Sequence, residues 1–374
     1  MPRWSRRVKA ILLMVFAALI AAAALAAPSI SFFVRDPKTA VYDLRAAVPP
    51  DALFFNPDYT TLYTDGLYYQ FDSGNGYDFY CHFIFVDLGF GLKKYLVDYK
   101  LHYPDGTYKV FGGKFDKDEG FMAQDRFEWK VGPNTIKGDP AIHRLHLASG
   151  ALRVDVDLKT IVPFYRVGDD GRMYLEPERK AWGQFTYFPR FEAQGTIRDG
   201  ETSIPISGWG YGNRSRMHFM ITEITSLHTA LRWQKDGLGF DFHDYRAAPE
   251  YGGNWFGVLM VYDQGRMIHV SQNYRKEILE SVTEPKTGSK IPMGYRLESR
   301  GQGVTVQIEF AGVRLADHND PLVWLGDIEK RLIELVTEPP VDLRLDGRVK
   351  LTVTTDQGTI IKAGPGHGLA LQSQ

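Results

Sequence analysis

The stretch that decides the fold runs Tyr187-Phe-Pro-Arg-Phe-Glu-Ala-Gln-Gly-Thr-Ile197, reaches Asp199-Gly200, and resumes as Ile206-Ser-Gly-Trp-Gly-Tyr-Gly-Asn-Arg-Ser-Arg-Met-His-Phe-Met220. Strand-like runs on both sides of an Asp-Gly pair predict a β-hairpin, because Asp-Gly supplies the positive φ that a tight turn needs. The same pair recurs at Asp65-Gly66, Asp105-Gly106, Asp170-Gly171, Asp236-Gly237 and Asp346-Gly347. Between these signals lie strand-like runs at 61–71, 77–88, 95–103, 152–162, 217–233, 255–262 and 304–310. Helical spacing is confined to 325–336, where Leu325, Ile328, Leu332, Leu335 and Val336 recur, and the second half of that run also reads as strand.

The composition agrees with β-structure. Aromatic residues make up 13% of 374, beside 37 Gly and 20 Pro, a mixture that suits pleated, half-buried surfaces and turns. Hydrophobic and charged fractions of 44% and 24% are those of a globular chain, so disorder, collagen and a polytopic membrane protein are excluded for its bulk. Consecutive strands with short turns predict antiparallel sheets closed into barrels or packed as sandwiches, since closure removes aggregation-prone edges. The pattern is most interrupted at 168–180, which divides the chain into domains at 28–180 and 181–374. A weak internal repeat sets Lys276-Glu-Ile-Leu-Glu-Ser-Val-Thr-Glu-Pro285 against Lys330-Arg-Leu-Ile-Glu-Leu-Val-Thr-Glu-Pro339.

Residues 1–27 read as an address. Arg3, Arg6, Arg7 and Lys9 precede an uncharged run from Ala10 to Ala27, the order of a basic and then an apolar region in an export signal. Small residues at Ala24 and Ala26 suit cleavage after Ala26. The run is also nearly long enough to stay as an N-terminal membrane anchor. Cleavage is the favoured reading, and both alternatives export the remaining chain to a periplasmic or similar compartment. Removing residues 1–26 takes away four basic groups and no acid, which moves the net charge from −1 to −5. That balance carries no basic field for nucleic acid, which is not expected as a partner. The single cysteine, Cys81, forms no intramolecular disulfide.

The opening stretch resembles a known family. An aromatic-Pro-Arg at Phe188-Pro189-Arg190, Gly195 six residues after the proline, a hairpin, and Gly208-Trp-Gly-Tyr211 are similar to the central signature of the carotenoid 1,2-hydratase family. Its relatives include AttH-like proteins, a group of survival proteins and lipocalin-type cyclases. The resemblance implies an all-β fold of two consecutive lipocalin-like antiparallel barrels, preceded here by the signal or anchor helix. It also implies hydrophobic ligands of lipid, sterol or terpenoid type. In hydratase-type members, a further residue after the Gly-x-Gly-aromatic leads into Asp, His or Arg and then an acidic or amide residue, a group able to protonate an alkene. The matching positions here are Asn213, Arg214 and Ser215, and neither an amide nor a guanidinium is a general acid at neutral pH.

Arg214, Arg216 and His218 share one face of a regular strand, and two guanidinium groups on one face suit an anionic headgroup. Trp209 and Tyr211 are assigned to that face as well, with the glycines at 208, 210 and 212 permitting a bulge. The alternative is a basic face that keeps the strand in water. Ligand contacts are therefore expected from Trp209, Tyr211, Asn213, Arg214, Arg216, His218, Trp233 and Trp255. The aromatic crowd from Tyr63 to Phe90 serves either as core or as cavity wall.

The leading expectation is an exported carrier for a hydrophobic molecule in the cell envelope, with possible membrane association through the N-terminal segment. The alternative is a cofactor-independent hydratase, cyclase or isomerase of an apolar terpenoid-like substrate, whose proton donor would be Glu223, Glu192, Asp241 or Tyr211. Glu223 and His228 are five apart and so fall on opposite strand faces, which argues against a direct acid–base pair. No cofactor is expected. Nor is a metal, because His143 and His146 are three apart and diverge in a strand, and Asp317-His-Asn-Asp320 lacks the spacing of a calcium loop.

Overall fold

The computed structural model describes residues 29–32, 34–56, 63–87, 89, 91–168, 170–176, 180–218, 221–285, 288, 290–319, 323, 324, 326, 327, 330, 331 and 341–372. The expected N-terminal helix, most of the helical run at 325–336 and most of the second repeat copy lie outside the described residues. No helix among the described residues is long and apolar enough to cross a membrane.

Strands β1 (Ser29–Phe32), β2 (Tyr63–Asp72), β3 (Asp78–Asp87), β4 (Lys93–His102), β5 (Tyr108–Asp116), β6 (Gly120–Met122) and β7 (Phe127–Val131) open the first sheet. It continues through β8 (Asn134–Asp139), β9 (Ile142–Ser149), β10 (Leu152–Val162), β11 (Arg172–Glu176), β12 (Lys180–Asp199) and β13 (Thr202–His218). The second sheet holds β14 (Thr225–Lys235), β15 (Leu238–Ala247), β16 (Trp255–Asp263), β17 (Arg266–Ser271), β18 (Tyr274–Thr283), β19 (Lys290–Gly301), β20 (Val304–Asn319), β21 (Val341–Thr355) and β22 (Gly358–Gln372). The first runs in the order β5-β4-β3-β2-β13-β12-β10-β9-β8-β7-β6, with β11 beside β12 and β1 beside β11. The second runs β17-β16-β15-β14-β22-β21-β20-β19-β18. Each sheet curls toward closure as a lipocalin-like barrel, and in each the last strand returns to lie beside the first long one, β13 on β2 and β22 on β14.

Period-2 patterning explains the walls. In β10, Leu152, Val154, Val156 and Leu158 point into the first barrel while Arg153, Asp155, Asp157 and Lys159 meet water. Strands β2, β3, β15 and β16 are instead buried on both faces, because their outer faces meet the other barrel. The aromatic crowd of the first barrel packs on itself: Phe71 and Phe79 lie 5.1 Å apart by ring centroids and Phe85 and Tyr95 5.2 Å. Each such ring contributes about 1.5–3 kcal/mol by burial. Trp233, Phe240, Phe242, Tyr295 and Phe310 fill the second barrel in the same way. These rings pack on one another rather than lining a tall central cavity, and Phe71 and Trp233 also border the space between the barrels.

Three expectations change. The sheets exchange between His218 and Thr225, so the cut after 180 falls inside the first sheet, and β12 and β13 complete the first barrel. For the same reason the run 217–233 is no single strand: a 3-10 turn at Ile221–Glu223 interrupts it and separates Glu223 from His228. Asp65-Gly66 and Asp346-Gly347 are not turns but mid-strand pairs in β2 and β21. At Gly347 a Cβ would stand 2.4 Å from the Ala311 carbonyl oxygen, so that glycine serves close strand approach.

Candidate site between the two barrels

Strand β13 sets one wall. Its glycines 208, 210 and 212 face β2, where an added Cβ would stand 1.9, 2.7 and 2.3 Å from the carbonyl oxygens of Asp72, Gln70 and Tyr68. The strand therefore lies close against β2 in unbroken register, and Trp209 and Tyr211 project from its other face toward the second barrel. The signature's Pro189 and Arg190 sit at a bulge in β12, where a residue without an N–H does not interrupt a ladder.

Tyr211 and Tyr68 both donate their hydroxyl to Gln70 Oε1, Tyr68 at 2.7 Å, and Gln70 Nε2 donates to Asp78 Oδ2 at 2.8 Å. Arg344, from β21, forms an ion pair with Asp78 across the gap. The second barrel also contributes Arg232, whose guanidinium lies 4.4 Å from the Tyr211 ring centre and 5.2 Å from that of Tyr68. Arg232 Nε donates to Asp241 Oδ1 at 2.8 Å, and Nη2 lies 3.0 Å from His243 Nε2. These partners arise from cross-strand order on the outer face of the second sheet. Arg314, Asp346, His367, Arg232 and Asp241 stand opposite one another along β20, β21, β22, β14 and β15.

Between the walls lies a cavity of about 260 Å³, bounded by Phe71, Trp209, Tyr211 and Trp233 and by Gln70, Asp72, Asp78, Gln234 and His367. A narrower space of about 30 Å³ continues it toward Tyr80, Lys100, Asp342 and Arg344. The larger space is near the lower end of small-molecule sites. Burial pushes the Tyr211 hydroxyl up and the Tyr68 hydroxyl well up, so both remain protonated donors at neutral pH. Burial also drives His228 and His243 down, so both rings are neutral.

Only part of the expected set meets here. Trp209, Tyr211 and Trp233 line the cavity, and Asn213 follows on the same face of β13. Arg214 and Arg216 lie on the opposite face, because an odd offset from Tyr211 reverses direction in a regular strand. Arg214 is 1% exposed and donates to both oxygens of Asp65, at 2.9 and 2.6 Å, and to the Leu53 carbonyl. Arg216 donates to the Asn56 carbonyl at 3.2 Å and to that of Ala52, so the pair ties the 3-10 turn Pro50–Leu53 onto the end of the first barrel. Those guanidinium groups face neither water nor the cleft. His218 packs edge-on against Trp182, with ring centres 5.3 Å apart, away from the cavity. Trp255 lies beneath Lys276 Nζ at 4.4 Å, is 39% exposed and does not line the cavity.

Among the expected proton donors, Asp241 stays ionised: burial alone would raise it, but Arg232 and His243 hold it below the ordinary carboxylate range. Glu192 pairs across the strands with Trp209 and accepts from Gln194. Glu223 is pushed up to about 7 by burial, but it sits on the inter-sheet turn and not in the cavity. Tyr211 is the only one of the four on the cavity wall. Sequence reasoning missed Gln70, Asp72, Asp78, Arg232, Arg344 and His367. One signal was available: Gly364-Pro-Gly-His-Gly368 in β22 repeats the alternating glycines of β13, at the equivalent closing strand of the second barrel. His143 is buried and His146 exposed, as their odd offset requires. Among the described residues no group of His, Cys, Asp and Glu has metal-site geometry.

No family model and no curated protein matches the sequence. Solved structures do match by fold. A protein from Nitrosomonas europaea described as a candidate AttH aligns with 91% of this chain and 99% of its own, at a TM-score of 0.62 and 13% identity. CghA aligns with 93% of this chain and 98% of its own, at a TM-score of 0.59 and 12% identity, and a second CghA structure contains Sch210972. Kievitone hydratase from Nectria haematococca aligns with 83% of this chain and 88% of its own, at a TM-score of 0.49 and 8% identity. The chain shares the two-barrel, lipocalin-like fold of the AttH-like and CghA structures.

Proposed function

We propose that the chain binds a hydrophobic, ring-bearing small molecule with a polar head in the cleft between its two barrels, as an exported protein of the cell envelope. The observation that carries this reading is the division of the interior. Both barrels are packed with their own side chains, whereas the inter-barrel cavity has indole and phenol walls beside a floor of Arg232, Gln70 and Asp78. Aromatic walls take the apolar body of a ligand, and the floor supplies polar partners for its head, the Arg232 guanidinium as donor and the Asp78 carboxylate as acceptor. CghA, which has this fold, has been seen with a bound compound. The export part rests on the basic and then apolar run at residues 3–27.

The probe is 1-anilinonaphthalene-8-sulfonate, which joins aromatic rings to an anionic head. Wild-type protein is expected to bind it at one site, and Trp209→Ala to bind it ~10-fold more weakly through lost ring burial. Equal binding by the variant would remove the cleft from the proposal. Mass spectrometry of protein from an envelope fraction then reads two further outcomes, a co-extracted hydrophobic molecule and the loss of residues 1–26. A full-length chain that carries nothing would defeat the exported-carrier reading. A second reading, a cofactor-independent hydratase, cyclase or isomerase acting on the bound molecule, is favoured by one specific feature of the wall, a histidine held by a carboxylate.

A further inference from the structure

We propose that His367, oriented by Asp346, is a proton-transfer centre of the cleft and acts as general base on an acidic C–H or O–H of the bound apolar molecule. The inference rests on the cleft-binding reading and adds chemistry to it. His367 occupies β22 between Asp346 on β21 and Arg232 on β14, all on the face turned toward the first barrel. Its Nδ1 lies 2.7 Å from Asp346 Oδ1. An ionised carboxylate only accepts, so that nitrogen carries the proton and Nε2 carries the lone pair. Arg344 lies alongside the pair, its Nη2 3.2 Å from the same ring nitrogen and its Nε 3.4 Å from Asp346 Oδ1.

Nε2 has no hydrogen-bond partner among the described residues, and the side chain is 42% exposed on the wall of both parts of the cavity. This is the arrangement of an activated base: one ring nitrogen fixed by a carboxylate and the other open to a reactant. Burial would raise Asp346, but the hydrogen bond from His367 and the guanidinium groups of Arg344 and Arg314 hold it well below the ordinary carboxylate range. It therefore remains an anion able to stabilise the imidazolium that forms when Nε2 takes a proton.

The groups that face His367 are Arg232 on β14, Arg344 on β21, and Asp72, Asp78 and His102 on β2, β3 and β4 of the first barrel. Asp72, which burial pushes up, stands on the opposite wall. Asp346 acts through His367 and is a positioning residue.

The test uses 5-nitrobenzisoxazole, an apolar bicycle opened by a general base alone. The base takes the C3 proton, the C–H electrons form the nitrile, the N–O bond breaks and a phenolate leaves, and the proton then passes from Nε2 to water. Full-length protein is expected to accelerate phenolate release. His367→Ala should lower kcat ~10²-fold, the span of a positioned general base. Added imidazole should restore part of that loss, which a merely structural histidine would not allow. Asp346→Asn should lower kcat with KM unchanged.

The inference is overturned if wild type gives no acceleration while still binding 1-anilinonaphthalene-8-sulfonate. It is also overturned if His367→Ala keeps the wild-type rate, or if its loss is not relieved by imidazole. Failure of wild type to bind the anilinonaphthalene probe marks the separate failure of the cleft reading.

Discussion

At the scale of the residue, offset parity decided roles that residue type alone did not. Tyr211 and Arg214 are three apart in one regular strand, so the phenol meets the cleft while the guanidinium is inside the first barrel with Asp65. Glu223 shows a second effect of placement. Its carboxyl is half-buried, one oxygen has no hydrogen-bond partner among the described residues, and burial pushes it up to about 7 against the pull of Lys180. Between the ordinary value of 4.5 and about 7 the folded state holds more proton than the unfolded chain, so stability falls as pH rises through that window. Glu223→Gln is expected to match wild type in Tm near pH 4, to exceed it progressively as pH rises, and to level off above pH 7. A difference in Tm that does not vary with pH would refute the assignment.

At the scale of the element, β13 and β22 use one device. Alternating glycines leave room on the inner face of each strand, for the β2 backbone in β13 and for core side chains in β22, and the residues between them, Trp209 and Tyr211 in one and Pro365 and His367 in the other, face the cleft. In β22 the Gly366 position faces Trp233 and Val349, with a Cβ 3.1 and 2.6 Å from them, and the Pro365 carbonyl accepts from Trp233 Nε1 at 2.9 Å. Gly212→Ala would bring a methyl to 2.3 Å from the Tyr68 carbonyl oxygen. The strand must shift, at a cost of ~1–3 kcal/mol. Urea unfolding should show an earlier midpoint with an unchanged slope, and the anilinonaphthalene probe should bind more weakly because Tyr211 moves. Wild-type values for both would mean that the strand tolerates the added methyl.

At the scale of the whole molecule, two kinds of contact join the barrels. One is an apolar seam in which Trp182, Phe185 and Met217 meet Tyr245, Val258 and Met260. The other is the polar cleft, where Arg344 pairs with Asp78 at 11% and 10% side-chain exposure. Burial would raise Asp78, but Arg344, His367 and His102 hold it below the ordinary carboxylate range, so its contribution is full above pH ~4 and declines as acid protonates it. Arg344→Ala strands that charge between the sheets, at a cost of ~3–5 kcal/mol. Calorimetry should show the single wild-type transition become lower and split in two as the barrels lose their polar tie. One transition at the wild-type Tm would show that the seam alone couples them.

The sequence by itself determined the all-β character, the antiparallel order and most strand positions, because alternation and turn chemistry are local signals that survive in any environment. It also marked the signature segment and three aromatic residues of the cleft. It misplaced the boundary between the barrels, since nothing local distinguishes a strand that completes one sheet from a strand that starts another. Only the tertiary structure decided the site. Gln70, Asp78, Arg232, Arg344 and His367 come from five strands of two sheets, and each sits on an outer face that in sequence looks like any solvent-facing position. What makes that face a site is the other barrel covering it, which removes water, strengthens every charge and hydrogen bond there, and is written in no single stretch of the chain.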